Sequence, residues 1–78
     1  MAELLVLKTR TLLSILEKTG YKVVSQKGSH LKLKKTQNGK ARTVIVPNHQ
    51  EIRIGTLASI IRQMGISRNE FLELAKAH

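Results

Sequence analysis

The chain has 78 residues, with 14 Lys and Arg against five Asp and Glu and a formal net charge of +9. A chain this short is read as one domain over residues 1–78, and it buries only about 60 to 65% of its unfolded surface, so its core is small. The absence of cysteine excludes disulfides, zinc-thiolate sites and thiol nucleophiles and fits a reducing compartment, while the charge excess calls for an anionic partner, nucleic acid first and an anionic membrane surface second.

In chain order, the N-terminal MAELLVLK lacks a basic leader, and its apolar run Leu4 to Leu7 is far too short to span a bilayer. A soluble, cytoplasmic chain with no membrane partner is expected. Thr9 can cap a helix running to about Thr19, with Leu12, Leu13, Ile15 and Leu16 on its inner side and Gly20 as a left-handed stop. YKVVSQ (21–26), HLKLKK (30–35) and ARTVIV (41–46) are β-branched or alternating runs, and Asn38-Gly39 between the last two is a strong hairpin signal. Pro47 ends the third strand because it has no N–H to offer the ladder. From Thr56, the residues Leu57, Ile60, Ile61 and Met64 form one apolar stripe on a helix that Gly65 ends. Ser67 to Glu70 is a capping box that opens a short last helix carrying Phe71, Leu72, Leu74 and Ala75. The expected fold class is therefore α+β, in the order α-β-β-β-α-α, with a three-stranded antiparallel sheet packed on helices.

The charge is concentrated in the middle of the chain. Between Lys18 and Gln50 there are eight cations, Lys18, Lys22, Lys27, Lys32, Lys34, Lys35, Lys40 and Arg42, and no acidic residue. Isolated lysines on strands guard against edge-to-edge aggregation; eight with no compensating carboxylate point to a polyanion. Strand alternation sends Leu31 and Leu33 to the helices and puts His30, Lys32 and Lys34 together on the solvent face. Gly28 permits a positive φ and leaves the backbone bare for a phosphate or ribose. Taken alone, Gly28-Ser29 is merely a turn and His30 a surface residue.

Gln26 to His30 opening a strand, Val46-Pro47-Asn48-His49 after the third strand, and GTLASIIRQMGIS (Gly55 to Ser67) followed by EFLEL resemble, in that order, the HicA toxins. The likeness covers about residues 8–75. It implies a double-stranded-RNA-binding-domain-like fold, ribosome-independent cleavage of messenger RNA, and inhibition by a HicB antitoxin that covers the active site. It implies that His30 is the catalytic histidine, with Gly28 and Ser29 completing its motif. His49 matches a histidine frequent in that family. Nothing in the motif departs from an active enzyme.

The chemistry agrees. RNA carries its own nucleophile, the 2′-OH beside each phosphodiester, so cleavage needs only proton transfer and stabilisation of added negative charge. Histidine titrates near neutrality and suits the first task; Lys27 and Lys32 suit the second. No carboxylate cluster lies between residues 18 and 50, so no metal and no other cofactor is expected. A Ser29 nucleophile lacks an acidic orienter nearby in sequence. Gly55-Thr56 at a helix start, beside Arg53, could bind a phosphate, or Thr56 could simply cap; His49 is a possible second proton-transfer group or an ordinary surface residue. The rival functional class is a non-catalytic RNA-binding module of double-stranded-RNA-binding type. Such modules place lysines at the start of the last core helix, where this chain has GTLASI. A basic scaffold protein would explain the charge but leave the Gly-Ser-His motif without a role.

Overall fold

A computed structural model describes residues 6–77. The elements are β1 (Val6–Lys8), α1 (Thr9–Lys18), β2 (Lys22–Lys27), β3 (His30–Gln37), β4 (Lys40–Pro47), β5 (Glu51–Arg53), α2 (Ile54–Met64) and α3 (Arg68–Ala77). The α-β-β-β-α-α order and the three-stranded antiparallel sheet, arranged β2-β3-β4, are as the sequence predicts. Two short strands add to it: β1 and β5 pair antiparallel as a separate ribbon, with Leu7 opposite Ile52.

Each element follows from local chemistry. On α1, Leu12, Ile15 and Leu16 form the buried stripe, while Leu13 is only partly buried. The helix stops in a Schellman arrangement: Gly20, at φ +106°, donates its N–H to Glu17 at 3.1 Å, and Tyr21 donates to Leu16 at 3.0 Å. Asn38 and Gly39 both have positive φ (55° and 77°), the pattern of a type I′ turn. Leu31 and Leu33 on β3 and Val44 and Val46 on β4 face the helices and join Leu57, Ile60 and Phe71 in the core. At about 1.5 to 3 kcal/mol for each large apolar side chain fully buried, this layer supplies the main driving force for folding. The capping box of α3 is formed in both directions, Ser67 N–H to Glu70 Oε1 at 2.9 Å and Glu70 N–H to Ser67 Oγ at 3.1 Å.

Two expected caps are not caps. Lys8 holds the N-cap position of α1 with no side-chain hydrogen bond, and Thr9 is already helical. The Thr9 hydroxyl instead donates to the carbonyl of His49, and its N–H donates to Gln50 at 3.1 Å, so buried Thr9 moors the segment after β4. Likewise α2 begins at Ile54 with Arg53 as N-cap, and Thr56 lies inside the first turn. The reason is common to both: a short strand runs straight into each helix, so the backbone turns before any threonine can sit at the boundary.

Candidate functional site

His30 is the first residue of β3 and sits at the closed end of the β2–β3 hairpin, opposite Lys27, and at the open end of the β3–β4 hairpin, opposite Pro47. The turn between Lys27 and His30 is two residues long, with Gly28 at φ +60° and no atom within 4 Å of where its side chain would be. Glycine is thus required here by backbone conformation rather than by crowding, and the turn stays open to a ligand. The backbone N–H of Asn48 donates to the carbonyl of Ser29 at 2.6 Å, which extends the β3–β4 ladder by one bond and fixes the turn to the segment leaving β4.

Beyond His30 the alternation holds: Lys32 and Lys34 are exposed, whereas Leu31 and Leu33 are buried. Register brings Ser25 and Ile45 to either side of Lys32. Ser25, Lys27, His30, Leu31, Lys32 and Ile45 line one open depression of about 440 Å³. No carboxylate is among its lining residues. The ion pair Lys76–Glu73 lies on α3, and no other is present among the described residues, so Lys27 and Lys32 carry unneutralised charge beside the imidazole. Lys34 lies farther along the same face, opposite Lys22 and Thr43 and outside the depression, and Gly28 and Ser29 form its approach rather than its lining.

The remaining candidates gather elsewhere. His49, Arg53 and Thr56 line a separate, smaller depression of about 130 Å³ together with Pro47, Glu51 and Ile52. Pro47 is the link, because it pairs with His30 in the sheet and also lines this second hollow. Ser25 and Ile45 escaped the sequence reading. Counting outward from the Gly28-Ser29 and Asn38-Gly39 turns would have found both, since tight two-residue turns set the register.

A family sequence model described as HicA toxin of bacterial toxin-antitoxin matches residues 9–66, well over half of the chain. The chain belongs to the HicA toxin family. The matched span contains the motif turn, the lysines of β3, and the second hollow with His49, Arg53 and Thr56. A search of curated proteins returned no match, and neither did a search of solved structures. As a HicA-family chain it is a toxin component of a toxin-antitoxin pair. No helix among the described residues is long and apolar enough to cross a membrane.

Proposed function

We propose that this HicA-family toxin is a ribosome-independent endoribonuclease that cuts messenger RNA with His30 and without a metal ion. The observation that carries the proposal is the depression where His30 lies in line with Lys27 and Lys32, open to solvent and lined by no carboxylate. In this mechanism the neutral imidazole takes the proton of the 2′-OH, the 2′-oxygen forms a bond to phosphorus, and the bond from phosphorus to the 5′-oxygen breaks. The 5′-oxygen leaves with a proton from water, which reaches the open site freely. The products are a 2′,3′-cyclic phosphate and a 5′-OH. Lys27 and Lys32 face the phosphate oxygens, where the transition state gathers charge that preorganised cations stabilise. Lys34 extends the track for the strand, and Gly28 and Ser29 let the backbone come close. His49, Arg53 and Thr56 hold the strand as it passes across Pro47.

The double-stranded-RNA-binding-domain-like character of the fold, the cytoplasmic setting and inhibition by a HicB-type antitoxin belong to the same proposal. The antitoxin presents an acidic surface to the His30 face and competes with RNA. A non-catalytic RNA-binding module is the alternative, and its usual lysine clamp is missing, because α2 opens Ile54-Gly55-Thr56-Leu57-Ala58-Ser59. The test is His30→Ala. Loss of RNA breakage with RNA binding retained supports catalysis; unchanged breakage refutes it.

A further inference from the structure

The three-stranded sheet has two edges of different character. Along β4 the edge is engaged: Ile45 N–H donates to Gln63 Oε1 at 2.9 Å and Arg42 Nη1 donates to the Gln63 carbonyl at 3.2 Å, both on α2. Along β2 it is open. All six residues of β2 are exposed, Val23 by 45% and Val24 by 52%. Val23 pairs with Leu33, which is fully buried, so the helical layer stops one strand short and leaves apolar β2 surface uncovered on the core side. In an antiparallel edge strand, alternate residues aim their N–H and C=O groups outward.

We propose that the β2 edge receives an extended acidic and apolar segment of a partner protein, which adds to the sheet as a fourth strand. Charge selects the occupant. Lys22 and Lys27 bracket the two valines, Lys34 and Lys32 stand on the neighbouring strand, and no acidic residue occurs between Lys18 and Gln50. A second copy of this chain would bring lysines against lysines between two bodies of charge +9 each. RNA has no main-chain groups in strand register and no apolar stripe to cover valines. A segment with Glu or Asp toward its ends and β-branched residues between them answers all three features. The lysines on this edge discourage uncharged strands, so entry is by charge, and the register break between Val23 and Ser25 interrupts the main-chain pairing at that point.

This deepens the inhibitory-partner part of the proposed function and rests on it. An added strand lies about 4.8 Å from β2, along the side where Ser25 and Lys27 line the depression that holds His30. A partner anchored there has its body beside the site it must cover.

The experiment titrates the full-length chain with a capped peptide of alternating Glu and Val and follows backbone amide shifts and hydrogen exchange by NMR. Expected are saturable shifts and slowed exchange confined to β2, abolished when alternate peptide amides on the bonding edge are N-methylated, and absent with a Lys-Val peptide. Val24→Ser should weaken the peptide by about fivefold or more through lost apolar burial while RNA cleavage stays unchanged. No saturable shift at millimolar peptide, equal binding of the N-methylated peptide, or slowed amide exchange at Val23 and Val24 produced equally by a single-stranded oligoribonucleotide would overturn the proposal. Failure here is separable from failure of the ribonuclease assignment: His30→Ala should abolish cleavage and leave peptide binding intact, and each result stands without the other.

Discussion

The backbone N–H of Asn48 meets the carbonyl of Ser29 at 2.6 Å, so the two motif segments, Gly28-Ser29-His30 and Pro47-Asn48-His49, are held together by the main chain and not by their side chains. Thr9 completes the mooring by donating its hydroxyl proton to the carbonyl of His49. Both histidines are therefore placed by backbone bonds from neighbouring segments, which leaves their rings available for chemistry.

Replacing the Asn48 amide by an ester through semisynthesis removes that N–H and also weakens the Pro47 carbonyl as an acceptor. Stability should fall by about 1 kcal/mol, the net worth of an ordinary hydrogen bond. The cleavage rate should fall by a larger factor than RNA affinity, because misplacement of a catalytic group penalises the transition state more than the ground state. Asn48→Ala keeps the N–H and should match the parent chain. Urea midpoints together with cleavage and binding assays on the three proteins check this.

The lysine face should supply affinity without sequence preference. Converting Lys32 and Lys34 to Ala should weaken binding of single-stranded RNA and flatten the plot of log affinity against log salt by about one to two units, given roughly 0.7 per phosphate contact. Both side chains are exposed, so the fold should persist. An unchanged slope, measured from low to moderate salt, would place the RNA on another surface.

Tyr21 predicts a pH dependence at the alkaline end. Burial pushes its phenol above the ordinary value of 10.0, and the Arg42 guanidinium pulls it part of the way back. The folded state thus holds the phenol proton more tightly than the unfolded chain does. This contribution to stability is fully present below about pH 10 and is lost as pH rises through the folded value. Tyr21→Phe removes it, so the stability difference between parent and variant should shrink or reverse in favour of the variant as pH rises above about 10. The ammonium of Lys35, 5.6 Å from the ring centroid, can lie over either ring, so that contact is common to both proteins. Urea midpoints across that range provide the measurement.

What could be read from the sequence depended on how far each signal extends along the chain. The stripe Leu57, Ile60, Ile61 and Met64 spans two helical turns, and all four residues are buried. Asn38-Gly39 requires two positive φ values and has them. His30, Lys32 and Lys34 alternate with Leu31 and Leu33 over five positions, enough to assign the exposed face, and the structure keeps that assignment. By contrast, β1 and β5 are three residues each, too short to show any period, and their pairing depends on Leu7 meeting Ile52 across most of the chain. Thr9 and Thr56 were misread as caps for the same reason, since the strands that displace them leave no local trace. The division of the candidate residues between two hollows was also invisible, because Pro47 joins them only through its register with His30.

The central claim is that the RNA supplies its own nucleophile and His30 activates it. The direct test is to map the cut in an oligoribonucleotide, replace the ribose at that one position by 2′-deoxyribose, and compare cleavage rates of the two substrates by the purified protein in excess EDTA. The all-ribose substrate should be cut under these conditions to leave a 2′,3′-cyclic or 3′-phosphate end, and the substituted one should survive while still binding. Equal cleavage of both substrates, or cleavage that stops when EDTA is added, would contradict the account.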